Sequence, residues 1–332
     1  MILLNRWKNW IYRRGFTFIG TYSHQTVLLQ EAIHGLNIHE EGTYVDCTYG
    51  RGGHTAEIVK RLNENGHLYA LDADEEAISA GRARFAGEEG KVTFIHGNFR
   101  ETVPRLQSYG VDSLNGVLFD LGVSSPQLDD KSRGFSYRGE EPLDMRMDRG
   151  QSLTAEEIVH TWTYEALVSV IARYGEEKYA KSIARAIESA RNKYRINTTA
   201  QLAEIVKDGI PAAARRSGGH PAKRTFQALR IAVNDELQAF EDALTSLIAR
   251  LHPAGGRMAV ITFHSLEDRI AKRTLDAYCK SPELPPGLPV IPEEMKPSMQ
   301  WINKKPIVPS SDEIEINRRA RSARLRIAEK IR

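Results

Sequence analysis

The first half of the chain alternates short apolar runs with amphipathic segments. The apolar runs end at glycine or at charged residues, which predicts strands at Thr43–Cys47, His67–Leu71, Val92–His96 and Gly116–Leu121. Between these runs the spacing predicts helices at Thr55–Leu62, Glu75–Phe85 and Glu101–Tyr109. Strands that alternate with helices form parallel sheets through right-handed crossovers. The pattern therefore predicts an α/β fold with a doubly wound, Rossmann-like sheet.

The periodicity changes after the fourth predicted strand. Residues 124–150 contain glycine, proline and many charges, which predicts a long loop of the kind that is usually functional. Thr154-Ala-Glu-Glu157 is a capping-box pattern that predicts the start of a helix. Apolar residues then recur every three or four positions, and the last helix of this block is predicted to span Arg224–Leu251. A further buried strand is predicted at Arg257–Phe263.

The return to a strand after this helical stretch predicts a domain inserted into another domain. An α-helical domain that recognises the substrate is expected at residues 151–250, inside an α/β domain formed by residues 22–150 and 251–332. Residues 1–21 are predicted to be a flexible extension, with an arm that touches a membrane surface or RNA as the alternative. The proline-rich segment Ser281–Ser311 is predicted to be irregular.

Composition narrows the class of protein. The chain has 332 residues and two cysteines, Cys47 and Cys279, so a disulfide framework is excluded and a cytoplasmic protein is expected. No apolar run is long enough to span a bilayer, and no membrane partner is expected. The net charge is only +3, but basic residues cluster at Lys223-Arg224 and at residues 318–326. Such clusters are either solvated faces or a surface for phosphates.

A glycine-rich turn and a following acid are typical of a nucleotide-type cofactor site. The first predicted strand leads into Thr48-Tyr-Gly-Arg-Gly-Gly-His54, and the second ends at Asp72, about 20 residues beyond the turn. Gly52 and Gly53 would let the backbone approach a ligand, and Asp72 could accept hydrogen bonds from both ribose hydroxyls. The glycines alone are equally well explained by the steric demands of a tight turn.

Candidate functional residues also follow the other predicted strands. Asp120 ends the fourth strand, where open parallel sheets bind ligands, although it could simply cap a helix or turn. Phe99 could stack on an adenine face or cover the core. His54 could contact a ligand or make a hydrogen bond at the start of a helix.

His264-Ser265 after the fifth predicted strand suggests a hydrolase only superficially. The chain lacks a Gly-x-Ser-x-Gly elbow there, and Ser265-x-x-Asp268 is predicted to cap a helix. The histidines, cysteines and acids do not show a transition-metal spacing, so no metal is expected.

Several segments closely resemble the ribosomal RNA small subunit methyltransferase H family, the MraW-type N4-cytosine methyltransferases. The resemblance extends from about Tyr22 to the C-terminus. The matching segments are His24-Gln-Thr-Val-Leu-Leu29, Thr48-Tyr-Gly-Arg-Gly-Gly-His54, Asp120-Leu-Gly-Val-Ser-Ser-Pro-Gln-Leu-Asp129, Pro142-Leu-Asp-Met-Arg-Met-Asp148, Tyr174-Gly-Glu-Glu177, Lys223-Arg-Thr-Phe-Gln-Ala-Leu-Arg230, Phe263-His-Ser-Leu-Glu-Asp-Arg269 and Arg319-Ala-Arg-Ser-Ala323.

The resemblance implies a class I methyltransferase that uses S-adenosyl-L-methionine and carries an inserted helical domain. The implied reaction is methylation of the N4 amine of a cytidine in the decoding region of small-subunit (16S) ribosomal RNA, within a 30S-type particle. A homodimer is compatible with it. The implied cofactor contacts are Gly52, Gly53, His54, Asp72, Phe99, Asp120 and Gln127.

RNA would be bound first through its phosphates, by the loop Arg133–Arg149, the segment His220–Arg230 and the basic tail. The residues expected to contact it are Arg133, Arg138, Arg146, Lys223, Arg224 and Arg230. Broader amino-methyltransferases carry Asp/Asn-Pro-Pro-Tyr/Phe after the fourth strand, where this chain reads Asp120-Leu-Gly-Val123. The aromatic residue that holds the base is therefore missing, and Asp120 is our catalytic candidate as the acceptor for the cytosine amine. A nicotinamide-dependent oxidoreductase and an RNA-binding module without catalysis stay open as alternatives.

Overall fold

A computed structural model of the protein describes residues 26–215, 219–281 and 296–332. The predicted N-terminal extension, residues 1–21, lies outside the described residues, and so do residues 282–295 of the predicted irregular segment Ser281–Ser311. The described remainder of that segment is not wholly irregular, because it contains a short strand at Met299–Trp301.

The described chain contains one seven-stranded sheet with the order β3-β2-β1-β4-β5-β7-β6. Its strands are β1 (Thr43–Asp46), β2 (His67–Asp72), β3 (Val92–His96), β4 (Gly116–Asp120), β5 (Arg257–Thr262), β6 (Met299–Trp301) and β7 (Arg324–Lys330). Strands β1 to β5 pair in parallel, while β7 is antiparallel to both β5 and β6. The predicted α/β fold with a mostly parallel sheet is thus confirmed.

The helices fall into those that flank the sheet and those between β4 and β5. Before and just after β4 they are α1 (Leu29–Leu36), α2 (Gly53–Val59), α3 (Glu75–Arg84), α4 (Thr102–Ser108) and α5 (Ser125–Asp129). Before β5 come α6 (Ala155–Thr161), α7 (Tyr164–Gly175), α8 (Ala180–Arg191), α9 (Thr199–Asp208), α10 (Ala212–Arg215), α11 (Lys223–Asn234) and α12 (Glu236–Arg250). The last helices are α13 (Ser265–Cys279) and α14 (Ser311–Ile316). Among the described helices, none combines the length and the apolar character needed to cross a membrane.

The helices between β4 and β5 have a hydrophobic core of their own. Buried apolar residues from Phe135 to Val233 form this cluster, and the described part of 151–250 adds no strand to the sheet. The prediction of a single helix at Arg224–Leu251 is wrong. The helix is broken at Asp235, which has a φ of 48° and separates α11 from α12. Beyond the break, Phe240 packs edge-on against Phe119 of β4, with ring centroids 5.3 Å apart. Helix α12 therefore belongs to the packing of the sheet.

The basic C-terminal segment forms a strand that the sequence did not predict. Within β7, the apolar residues Leu325 and Ile327 are buried, and so is Arg326 between them, whereas Arg324 is exposed. Both Arg324 and Arg326 pair with Asp268 of α13, and Arg326 is almost completely buried. The tail that was expected to bind RNA is thus in part an internal strand of the sheet.

Candidate active site

A pocket lies at the carboxyl ends of β1, β2 and β4. Between β1 and β4 the order of the strands reverses, and such a switch point is where open parallel sheets bind ligands. The lining comes from the glycine turn after β1, the ends of β2 and β4, the start of α13 and the C-terminal segment. Of the predicted cofactor contacts, the pocket is lined by Gly53, His54, Asp72, Phe99, Asp120 and Gln127, and Gly52 is the residue that caps α2 beside them.

Asp72 fixes the glycine turn. Its carboxylate accepts the backbone N–H of Gly50 at 2.7 Å and that of Asp74 at 2.9 Å. Burial raises the pKa of Asp72 to about 6, although both of these hydrogen bonds act against the shift. Gly50 and Gly52 have φ values of 53° and 68°, in the left-handed region that glycine adopts without strain. The turn is thus held open toward the pocket by an acid that still has free lone pairs.

His54 and Asp120 both line the pocket, and their side chains lie next to each other. The imidazole Nδ1 lies 3.6 Å from the Asp120 Oδ2 atom, and His54 is 4% exposed. Burial lowers the pKa of His54 to about 4, so the ring is uncharged at neutral pH. Burial, together with the charges of Asp46 and Glu267, raises the pKa of Asp120 well above its usual range.

Two polar atoms of this pair lack hydrogen-bond partners. Within the part of the chain that the structure describes, neither Nε2 of His54 nor Oδ1 of Asp120 has one. A buried polar atom without a partner carries a free-energy penalty of about 1–3 kcal/mol. A polar ligand that supplies the missing partners would remove that penalty.

Asp46 is a buried acid that the sequence analysis missed. Its carboxylate accepts the Thr55 hydroxyl at 2.7 Å and the Thr48 N–H at 3.1 Å. Burial raises its pKa to about 6. An acid at the end of an apolar strand, directly before a glycine turn, was the available signal. Asp46 holds the turn and the start of α2, and its charge acts on Asp120.

Gln127 and Arg133 belong to an internal network centred on Asp74. The carboxylate of Asp74 accepts hydrogen bonds from the Gln127 amide at 3.1 Å and from the Arg133 guanidinium at 2.8 Å. Gln127 also accepts the Ser124 N–H, and Arg133 also donates to the carbonyl oxygens of two residues in the following loop, 146 and 147. The expectation that Arg133 contacts RNA is therefore corrected, because its side chain is 3% exposed and is held within the protein.

Two more of the arginines expected on the RNA surface have internal partners. Arg146 forms an ion pair with Asp144 at 2.7 Å and donates to backbone carbonyls. Arg230 forms a two-pronged ion pair with Glu236, at 2.8 and 2.9 Å. Both side chains are mostly buried, at 21% and 15% exposure, and so we assign them to the structure of the loop and of α11. By contrast, the other three residues that were expected to contact RNA are exposed to solvent. They are Arg138, Lys223 and Arg224.

Phe99 lines the pocket and also contacts the core. Its ring packs edge-on against Phe119, with centroids 5.9 Å apart, and the other part of the ring is exposed toward the pocket. One face of the Phe99 ring can therefore stack on a flat ligand, while the contact with Phe119 holds the ring in place.

The cap of α13 differs from the predicted Ser265-x-x-Asp268. His264 is the capping residue, and Glu267 completes the capping box by accepting the backbone N–H of His264 and of Phe263. The prediction was wrong by one position because histidine is an uncommon cap. The consequence is that Glu267, which the sequence analysis did not single out, lines the pocket with a carboxylate.

Four carboxyl groups and two arginines line the pocket: Asp72, Asp120, Glu236, Glu267, Arg51 and Arg319. Asp72 and Glu267 offer carboxylate acceptors, whereas the raised pKa of Asp120 favours its neutral form and Arg230 binds both oxygens of Glu236. The wall therefore favours a ligand with several hydrogen-bond donors. No group of histidine, cysteine and acidic residues suited to a metal ion occurs among the described residues.

Comparison with known proteins identifies the family. The model of the MraW methylase family matches residues 21–331, nearly the whole chain. Among solved structures, an rRNA methylase from Streptococcus thermophilus is similar with 11% identity and a TM-score of 0.42, over 93% of this chain and 99% of that one. A Clostridium thermocellum protein assigned as an rRNA methylase has 15% identity and the same TM-score, over 93% and 100%. These two resemblances are too weak to carry an argument, and the assignment rests on the family match. The chain belongs to the MraW methylase family, the family of ribosomal RNA small subunit methyltransferase H.

Proposed function

We propose that this methyltransferase modifies the N4 amine of a cytidine in the decoding region of small-subunit ribosomal RNA. S-adenosylmethionine is the cofactor, and when bound it supplies an electrophilic methyl group on a positively charged sulfur. The observation that carries the proposal is the acidic pocket at the switch point of the sheet, in a chain of the MraW family. The carboxyl groups suit the hydrogen-bond donors of the cofactor, and the pocket reaches beyond Asp120 to the start of α13.

The residues of the pocket fit this cofactor. Asp72 keeps free lone pairs for both ribose hydroxyls after it has accepted two backbone N–H groups. Phe99 offers a ring face for the adenine. The unpaired Oδ1 of Asp120 and Nε2 of His54 offer an acceptor and a donor or acceptor in the wall of the pocket. We also propose that Gly52 and Gly53 bring the turn close to the cofactor.

Positioning of the cytosine is the main requirement of this reaction. The amine is a weak nucleophile because its lone pair is delocalised into the ring. Holding it in line with the methyl group replaces a collision in solution by a step within one complex, which can contribute about 7–11 kcal/mol to lowering the barrier. Asp120 lies at the end of the central strand of the pocket, and we propose that it contacts both the cofactor and the amine.

We further propose that the helical insertion binds the RNA. Lys223 and Arg224 are exposed on the insertion, Arg138 is exposed on the loop that precedes it, and all three can neutralise phosphates. The target base must be unstacked or already single-stranded to enter the pocket. These requirements favour an RNA held in a fixed shape, such as that of a small-subunit particle, over free nucleoside.

Mass mapping of methylated cytidines tests the proposal. Small-subunit RNA from cells that lack this protein should lose one N4-methylation of a cytidine in the decoding region. Purified protein and S-adenosylmethionine, added to small subunits from those cells, should restore it. A methyl group that appears on another atom, or in large-subunit RNA, would contradict the assignment.

A further inference from the structure

Glu267 lies on the side of the pocket that is away from the glycine turn after β1. Strand β4 lies between β1 and β5 in the sheet. Asp120 at the end of β4 therefore separates the glycine turn after β1 from the start of α13 after β5. Glu267 is in the first turn of α13 and lines the pocket together with Phe263. A cofactor held at Asp72 and the glycine turn leaves this side for the second substrate.

The carboxylate of Glu267 is held rigidly but is not saturated. Its Oε2 accepts the backbone N–H of Phe263 at 2.7 Å and that of His264 at 3.2 Å. Its Oε1 lies 3.1 Å from Nε2 of His264, whose Nδ1 faces the backbone N–H of Glu267. An ionised carboxylate offers about four acceptor positions, and the two backbone N–H groups use two of them, both on Oε2.

Charge distinguishes Glu267 from its neighbour Asp120. Burial opposes ionisation of Glu267, but hydrogen bonding by His264 and the charge of Arg230 prevail and hold its pKa below the usual range. The pKa of Asp120 is raised instead, and the charge of Glu267 is one of the causes. When the environments of two acids push their pKa values apart, they can take different roles at one pH.

Glu236, the other glutamate of this wall, is a weaker candidate. Both of its carboxylate oxygens are bound by the guanidinium of Arg230, at 2.8 and 2.9 Å. The simplest alternative role for Glu267 itself is structural, as the acid of the α13 capping box.

We propose that Glu267 accepts a hydrogen bond from the amine of the target base and takes up the proton released on methylation. In that step the amine nitrogen forms a bond to the methyl carbon while the carbon–sulfur bond breaks, and the electron pair of that bond stays on sulfur. The nitrogen, now bearing three substituents besides the ring carbon, gives one proton to the Glu267 carboxylate. Product release exposes the pocket and returns this proton to water. The inference rests on the proposed function, because it requires that the group receiving the methyl be an amine.

Substitution by glutamine separates catalysis from capping. Glu267→Gln keeps an oxygen that can accept the N–H groups of Phe263 and His264, and glutamine is a regular capping-box residue. It removes only the negative charge and the ability to take up a proton. Glu267→Asp keeps the charge but withdraws it by one methylene. As a matched control, Glu177 is also a buried acid, 8% exposed, that accepts a backbone N–H two residues ahead, and it does not line the pocket.

The assay is single-turnover methyl transfer to unmethylated small subunits at saturating S-adenosylmethionine. Loss of a positioned acid or base lowers such rates by about 100-fold or more. We expect Glu267→Gln to show a loss of this size with unchanged cofactor affinity, Glu267→Asp to retain more activity than Glu267→Gln, and Glu177→Gln to transfer at the wild-type rate.

The outcomes separate the inference from the function on which it rests. Wild-type rates for Glu267→Gln would overturn the inference alone, and so would a rate no better for Glu267→Asp than for Glu267→Gln, which would indicate a structural role. If the wild-type protein did not methylate a cytidine amine, the proposed function would fail and the inference with it.

Discussion

Replacing Asp72 should weaken cofactor binding and also destabilise the protein. The structure separates the two effects, because some hydrogen bonds of Asp72 are made inside the protein and others are proposed to go to the cofactor. The carboxylate makes two backbone hydrogen bonds inside the protein and is proposed to make two more to the ribose. A hydrogen bond to a charged group contributes about 1.5–3 kcal/mol, so loss of the ribose contacts should raise the Kd for S-adenosylmethionine by at least about 10- to 100-fold. Asp72→Ala also leaves the N–H groups of Gly50 and Asp74 without their acceptor, and its Tm should fall. Asp72→Asn keeps one acceptor oxygen and should lose affinity with a smaller change in Tm.

Calorimetric titration at several pH values provides the sharpest test of Asp72. Its pKa in the ligand-free protein is about 6, and the ionised form is the better acceptor for ribose hydroxyls. Affinity should therefore be constant well above pH 6 and fall as the pH drops below 6, by about 10-fold at pH 5, where about one tenth of the groups is ionised. Asp72→Asn should lose this part of the pH dependence. Asp130→Asn, on an exposed turn, is the control and should bind the cofactor like the wild type. If either Asp72 variant had an unchanged Kd at pH 8, Asp72 would not be part of the cofactor site.

Three further results are expected. Asp120→Asn should keep part of the methyl-transfer rate, whereas Asp120→Ala should lose about 100- to 1000-fold in single turnovers at saturating cofactor; a wild-type rate for Asp120→Ala would exclude the residue from the reaction. Arg133→Ala should lower the free energy of unfolding in urea by about 3–5 kcal/mol, because it leaves Asp74 buried without its cation, while exposed Arg138→Ala should change it little. Small subunits should be methylated far faster than free cytidine or a short DNA strand in parallel assays, and equal rates would contradict a substrate recognised by its folded shape.

The parallel strands were predictable because each carries its own signal. A short, continuous apolar run bounded by glycine or charge is what a strand buried on both faces requires, and all five parallel strands were placed within one residue at either end. Strand β7 was not predicted because arginines alternate with its first apolar residues, which suggests a solvated segment, although Leu325, Arg326, Ile327 and Ala328 are all buried beside β5. Only the tertiary structure shows that Asp268 neutralises Arg324 and Arg326.

The roles of charged residues in the site were the hardest feature to predict, because they too depend on tertiary contacts. Sequence marks Arg133 and Arg138 alike as basic residues in a charged loop, yet the first is buried beside Asp74 and the second is exposed. Their difference depends on contacts between segments about 60 residues apart, which no local pattern encodes. Glu267 was missed because its local context indicates a helix cap, and its place in the pocket follows from the position of β5 beside β4.

The buried polar network explains why an α/β cofactor site can carry a separate helical insertion without losing its geometry. Asp72 accepts the N–H of Asp74, whose side chain holds Arg133. Arg133 in turn binds the carbonyl of Met147, and the N–H of Met147 donates to Asn234 near the end of α11. A continuous set of hydrogen bonds thus runs from the acid proposed to hold the ribose to the helices of the insertion. Because each buried member would carry a penalty if it lost its partner, the loop after β4 has one well-defined conformation that fixes both sides of the pocket together.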